Sequence, residues 1–254
     1  MILQSLPNND LLTYLDSVGV AGHFARYVAR QAAGIRSPAV LEDGEIVGVA
    51  LSGLPAGIYE AASCWIFAAT SQGFSLLLEE VLRTDFFSLN FPLHYTNIVE
   101  ARNSDLLLSV DRLYTLHPAE FRPVPDRYQV VQLTSRLLNG IEVAHEMMER
   151  IGDITTLPEG FPLYGIIVEG RLSAIAEAAV RDESVASIQQ VYTLTSERGK
   201  GLGKSVVSAI GQELLNEGFL PAYFVSETNH SSIALAESLG FRLESRWGCA
   251  EEKM

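Results

Sequence analysis

Between residues 198 and 204 the chain sets three glycines among three cations, Arg198-Gly199-Lys200-Gly201-Leu202-Gly203-Lys204, in a sequence where basic residues are otherwise sparse. Glycine lets a backbone turn tightly and come close to a ligand, and the unpaired N–H groups that open a helix carry a partial positive charge. An anion of phosphate size suits such a segment. The spacing matches neither the GxxxxGK[ST] pattern of nucleotide hydrolysis nor the GxGxxG of dinucleotide folds, so neither chemistry is favoured. A plain strand-to-helix turn that is merely rich in glycine is the competing reading.

An anion loop works only if a strand delivers it and a helix opens behind it. A β-rich run ends at Thr195, and Val206, Val207, Ile210 and Leu214 recur at helical spacing after the loop. Over the second half the patterning predicts strands at 128–133, 163–169, 172–180, 186–194, 221–227 and 241–247, with helices at 140–151, 203–217 and 231–239. The first half predicts helices at 9–17, 20–33, 73–83 and 103–113, with strands at 38–43, 46–52, 61–69 and 94–100. Pro118, Pro123 and Pro125 favour irregular extended backbone. They place a linker at 116–127 between a lobe over 1–115 and a lobe over 128–254. Both lobes carry an acidic-Gly hairpin signal, and Gly44 and Gly170 stand 126 positions apart. Val99-Glu100-Ala101-Arg102-Asn103 resembles Val225-Ser226-Glu227-Thr228-Asn229 at the same offset of 126. One offset at two landmarks implies an internal duplication; the alternative is chance likeness between two α/β halves.

From Pro162 to Trp247 the chain resembles the GNAT superfamily of acyl-CoA N-acyltransferases. The resemblance rests on the strand Val191-Tyr192-Thr193, the loop Arg198 to Gly203 opening a helix, then Asn229-His230-Ser231-Ser232, then Gly240-Phe241, in that order and spacing. The tail Arg246-Trp247-Gly248-Cys249 and the tandem arrangement are also similar to the glycine N-acyltransferase branch. The resemblance implies an α/β (α+β) fold with a mixed, mostly antiparallel sheet, duplicated with a degenerate N-terminal lobe. It implies acetyl-CoA, or coenzyme A carrying another acyl group, as cofactor. Backbone amides of Arg198, Gly199, Lys200, Gly201, Leu202 and Gly203, with Lys204 beside them, would then hold the pyrophosphate. The strand edge Val191-Tyr192-Thr193 would pair with the pantetheine arm, and Asn229 and Ser232 would meet the cofactor nearby. Asn229 reads equally well as the N-cap of the helix that starts at Ser231.

Moving an acyl group from a thioester to an amine needs a neutral amine, donors for the charge that develops on the acyl oxygen, and an acid for the departing thiolate. The family often carries a Glu eleven residues ahead of the loop and a Tyr seven residues past the Asn; those positions are Ser187 and Ala236. With both groups missing, the rate is expected to follow amine deprotonation more than any one side chain. The catalytic candidates that remain are Glu177, Gln189 and His230. Strand alternation puts Ser187, Gln189, Val191 and Thr193 on one face, where Gln189 would orient a water. Glu177 interrupts the apolar run from Ala174 to Val180 and is either solvent-facing or a base with a raised pKa. His230 is either a general acid or a solvated loop residue. Tyr192 and Tyr223 read as packing residues with exposed hydroxyls. In the first half the counterpart of the loop, Thr70-Ser71-Gln72-Gly73-Phe74, is shorter and has no basic residue. That half is expected to bind no coenzyme A, to complete the core and to wall the acceptor pocket.

Composition narrows the partners. At 254 residues, 48% hydrophobic and 19% charged, the chain is globular rather than disordered. A net charge of −13 repels a nucleic-acid backbone, so no nucleic-acid partner is expected. No apolar run reaches the roughly 18 residues of a membrane span, and the first residues do not read as a signal peptide. A cytoplasmic protein without a membrane partner is expected. Cys64 and Cys249 lack CxxC spacing, which favours neither a disulfide framework nor a metal site. The expected partner is a small-molecule amine, and the chain is expected to act as a monomer (a pseudo-dimer) or a homodimer. Two other readings stay open: an acyl-CoA-binding regulatory module without turnover, and a protein or peptide N-acetyltransferase, which an acidic surface also suits.

Overall fold

A computed structural model of the chain describes residues 1–31, 37–56, 59–84, 86, 88–125, 127–152 and 162–252. In chain order the elements are β1 (Ile2–Ser5), α1 (Asn8–Ser17), α2 (Val20–Gln31), β2 (Pro38–Glu42), β3 (Glu45–Ala56), β4 (Tyr59–Ala68) and α3 (Ser71–Val81). Then follow β5 (Ser88–Pro92), α4 (Thr96–Arg102), β6 (Leu106–Thr115), β7 (Val131–Gln132), α5 (Ser135–Leu138), α6 (His145–Ile151) and β8 (Leu163–Val168). The chain ends with β9 (Arg171–Asp182), β10 (Val185–Thr193), α7 (Leu202–Asn216), β11 (Leu220–Ser226), α8 (His230–Leu239) and β12 (Arg242–Glu252). These elements form two units, one built on residues 1–113 with 226–228 and the segment from Ser245, the other on residues 114–225 and 229–244. The fold is mixed α/β, and among the strand pairings described only β4–β5 and β10–β11 are parallel.

In the second unit the strands run in the order β11-β10-β9-β8-β7. One face of that sheet packs on α7 and α8, where Val206, Val207, Ile210 and Leu214 meet Ala176, Ala178, Ile188 and Tyr223. Each such apolar side chain, buried in full, contributes about 1.5–3 kcal/mol, which is why the helical spacing after the loop is decisive. The opposite face carries a smaller core in which Leu163, Leu172 and Ile175 pack on Leu138 of α5 and Met147 of α6. The apolar run from Ala174 to Val180 makes a strand rather than a helix because it is covered on both faces, with alanines on one side and Ile175 on the other. The helix predicted over 140–151 is only α6 at 145–151, and a separate short helix, α5 at 135–138, N-capped by Thr134, precedes it.

The first unit orders its strands β1-β2-β3-β4-β5-β12-β6, and α3 buries Phe74, Leu77, Leu78 and Val81 against them. Two sequence expectations fail here. The strand predicted at 94–100 is α4, preceded by a 3₁₀ turn at Leu93–Tyr95, and the strand is β5 at 88–92, which Pro92 ends. The helix predicted at 103–113 is β6. Asn103 makes the switch: its side chain accepts the Asp105 N–H at 3.0 Å, an Asx turn that stops α4 and releases the chain as a strand.

Both units run through strand, hairpin turn, strand, strand, helix, parallel strand and helix. The hairpin landmark is geometrically the same in both, with left-handed pairs Asp43/Gly44 at φ 51° and 88° and Glu169/Gly170 at φ 49° and 79°. The second landmark is not equivalent: Val99–Asn103 lies in α4 and its cap, whereas Val225–Asn229 joins β11 to α8. The shared offset of 126 there is coincidence, because the second unit's longer loop before α7 shifts everything after it.

Candidate active site

The parallel pairing of β10 with β11 covers only Val185–Ser187 against Leu220–Ala222. Beyond Ser187, β10 runs on to Thr193 in register with β9, and the pairing with β11 does not continue over Ile188–Thr193. Strands that separate this way leave backbone donors and acceptors for an extended ligand. A cleft of about 710 Å3 opens there.

Val191, Tyr192, Thr193, Arg198, Gly199, Gly201, Leu202, Gly203, Lys204, Asn229 and Ser232 line it. Lys200, expected with them, does not: its Nζ lies 3.0 Å from both carboxylate oxygens of Glu197, and its carbonyl accepts the Tyr128 hydroxyl at 3.2 Å. Gly201 is the N-cap of α7 at φ 87°, and no side chain caps the helix. A Cβ at Gly199 or Gly201 would meet nothing within 4 Å, so both face open space. Gly203 has a different reason to be glycine, since a Cβ there would lie 2.8 Å from Thr193 Oγ1. It lets α7 approach β10. The first turn of α7 is thus an uncapped helix start in a cleft with Arg198 and Lys204, an arrangement that fits the diphosphate of coenzyme A.

Asn229 Oδ1 accepts the Ser232 N–H at 3.1 Å and the Ser231 hydroxyl at 2.9 Å. Its N-cap role is therefore real, and it occupies the cleft wall at the same time.

The strand faces differ from simple alternation. Gln189 pairs with Glu177 and Tyr192 with Ile175, so three steps on β10 match two on β9, and Gln190 takes φ 50° in the resulting bulge. Partners in register share a face, so Tyr192 joins Gln189 and Glu177, while Val191 turns to the α7 side and Thr193 faces Gly203. The expectation that Ser187, Gln189, Val191 and Thr193 share one face holds only up to Gln189. Gln189 Nε2 donates to Ser187 Oγ at 3.1 Å, and Ser187 is buried.

Glu177 is 9% exposed, which removes the solvent-facing reading, and burial raises its carboxyl pKa. Glu177 and Gln189 are brought together across β9 and β10, further back along the strands than the cleft lining. His230 is not with them: it is the exposed first residue of α8. Ala236 is fully buried on the inner face of α8, so no acid stands at that position. The tyrosine hydroxyls are not free either. Tyr192 donates to Glu146 at 2.8 Å, and Tyr223 is buried and bonded to Ser232, burial raising its pKa.

Sequence reasoning missed α6 as a wall of the site. Glu146 accepts from the Tyr192 hydroxyl and from the Thr195 hydroxyl at 2.9 Å and amide at 3.3 Å; these bonds, the Tyr192 one foremost, lower its pKa. Arg150, one turn along, lines the cleft. A Glu146-x-x-x-Arg150 pair was visible in the sequence, but which strand it faced was not.

The first unit has the matching parallel pair, β4 with β5 over Ser63–Trp65 and Ser88–Asn90, but its opening is filled. Tyr95 donates to the Ala68 carbonyl at 3.1 Å, Asn90 Nδ2 to the Cys64 carbonyl at 3.3 Å, and Phe74 stacks on Tyr95 at 4.2 Å. Thr70 caps α3 by accepting the Gly73 N–H at 3.1 Å.

Comparison with known proteins agrees with this geometry. Residues 163–248 match the family model for FR47-like protein. The whole chain superimposes on a Drosophila protein (TM-score 0.69, 14% identity, covering 99% of this chain and 98% of that one) and on an acetyltransferase from the GNAT family of Colwellia psychrerythraea (0.61, 12%, 100% and 100%). A tandem GNAT protein from the clavulanic acid biosynthesis pathway aligns at TM-score 0.55 and 16% identity, over 99% and 98%. The fold is the GNAT fold. At these identities the likeness extends to architecture alone. No curated protein matches the sequence. Among the described residues no helix is long and apolar enough to cross a membrane, and no group of His, Cys, Asp and Glu is placed to hold a metal.

Proposed function

We propose that the chain is an acyl-CoA-dependent N-acyltransferase that moves an acetyl or other acyl group to a primary amine of a small molecule or amino acid, as a cytoplasmic enzyme of tandem organisation similar to the glycine N-acyltransferase branch. The observation that carries the reading is the uncapped start of α7 facing the opening between β10 and β11, inside the segment that matches FR47-like protein. The cofactor supplies the activated acyl thioester. Backbone amides of Arg198–Gly203, with Lys204 beside them, would hold its diphosphate, and the edge of Val191–Thr193 would pair with its pantetheine arm. N–H groups at the bulge beside Gln190 offer donors to the acyl oxygen as charge develops there.

Glu177 takes the role of base in place of the missing carboxylate at Ser187. It stands on the neighbouring strand, on the face shared by Ser187 and Gln189, and its raised pKa keeps it basic enough to accept an ammonium proton, directly or through a water held by Gln189.

Incubating the full chain with acetyl-CoA and a panel of amines while following free thiol tests the proposal; amine-dependent thiol release is expected. A second reading, an acyl-CoA-binding regulatory module, is favoured by the buried Ala236 where an acid would stand. It predicts tight binding and no amine-dependent release.

A further inference from the structure

Two guanidiniums flank one ring in the cleft. Arg150 lies 5.1 Å and Arg198 5.6 Å from the centroid of Tyr192. The bulge at Gln190 turns Tyr192 to the α6 side, and its hydroxyl on Glu146 fixes ring and helix together. Arg150 therefore stands one helical turn from a fixed point, beside the head of the glycine loop. Neither Arg150 nor Lys204 makes an ion pair among the described residues, although the chain carries a net charge of −13. Of the carboxylates nearby, Glu146 is held by Tyr192 and Thr195 and also attracts Arg198, and Glu197 is held by Lys200. Arg150 and Lys204, two cations lining one cleft without a counter-ion, mark the place of an anion.

We infer that Arg150, with the Arg198 guanidinium over the same Tyr192 ring, forms a second phosphate subsite, apart from the backbone amides of the glycine loop, that takes the ribose 3′-phosphate of the cofactor. The inference rests on the acyl-CoA reading and deepens it. Coenzyme A carries a diphosphate, which backbone amides and Lys204 at the α7 start suit, and a separate phosphate monoester of high charge density. A monoester has no backbone cradle left to use, and planar guanidinium forks are the groups that bind it best. Stacking on Tyr192 keeps both forks oriented before the ligand arrives.

Arg150 is exposed, so its replacement removes no buried contact. The test titrates coenzyme A and 3′-dephospho-coenzyme A into the wild-type chain and the variants Arg150→Met and Arg150→Lys by calorimetry. The wild type should prefer coenzyme A by about 10- to 100-fold, the range of one or two charge-assisted bonds. Arg150→Met should erase most of that preference by weakening coenzyme A alone, and Arg150→Lys should keep part of it. Equal weakening of both ligands would put Arg150 on the diphosphate and overturn the inference. Unchanged affinity for both in Arg150→Met would overturn it too. Binding of neither ligand by the wild type would overturn the acyl-CoA reading itself.

Discussion

Glu177 and Gln189 oppose each other in register on β9 and β10, one residue before Gln190 bends β10 into its bulge. A base must be ionised to work, and burial raises the Glu177 pKa. The acid limb of kcat/KM should therefore fall above the ordinary carboxylate range. Glu177→Gln should abolish that limb and lower kcat by about 10²–10⁴-fold. A profile that climbs only with the amine's own ionisation, unchanged in the variant, would return control to the amine, as the empty Ser187 and Ala236 positions first implied.

The same burial carries a sign in stability. A carboxyl whose folded pKa exceeds its unfolded one costs nothing when protonated in both states; the cost grows as pH rises from the unfolded value and is complete above the folded one. Glu177→Gln should raise the melting temperature at pH 8, with the gain fading as pH falls through the raised value toward 4.5. Scanning calorimetry across that range checks it; a variant that melts lower at pH 8 would contradict a buried charge at this position.

Gly203 and Thr193 are in close approach, so Gly203→Ala should destabilise by about 1–3 kcal/mol through overpacking. Thr193→Ala removes the 2.8 Å contact and should recover part of the loss in the double variant. Denaturant unfolding of the four proteins measures the coupling, and strict additivity would place the strain elsewhere.

Thr70 and Asn229 do the same local work, capping α3 and α8 through a side-chain oxygen. Replacing either by Ala should cost about 1 kcal/mol. Only Asn229 also lines the cleft, so only Asn229→Ala should weaken acetyl-CoA binding as well, which comparison of the two variants by thermal shift with and without the cofactor reads directly.

Much of the second unit was legible because its signals are local: β9, β10, α7, β11 and α8 each begin and end within two residues of the patterning, and the glycine loop falls where it was expected. In the first unit, Ser88–Pro92 is too short to announce itself, and Leu106–Thr115 has enough apolar residues at helical spacing to mislead until the Asx turn at Asn103 is seen. The site was half legible. Residues whose role is backbone geometry, Gly201 above all, can be read from the chain. Roles that depend on which face a residue takes cannot, because one left-handed residue, Gln190, reverses the faces of everything after it on β10. Arg150 was hidden for the related reason that α6 meets Tyr192 only because of that reversal.

Acetyl-CoA titrated into the full chain by calorimetry tests the central claim most directly, since the second unit has an open cleft with an uncapped helix and the first has a filled opening with a capped one. The account predicts one site per chain, with binding weakened by at least about tenfold when Arg198 and Lys204 are both changed to Glu. Two equivalent sites per chain, or affinity unchanged in that double variant, would contradict it.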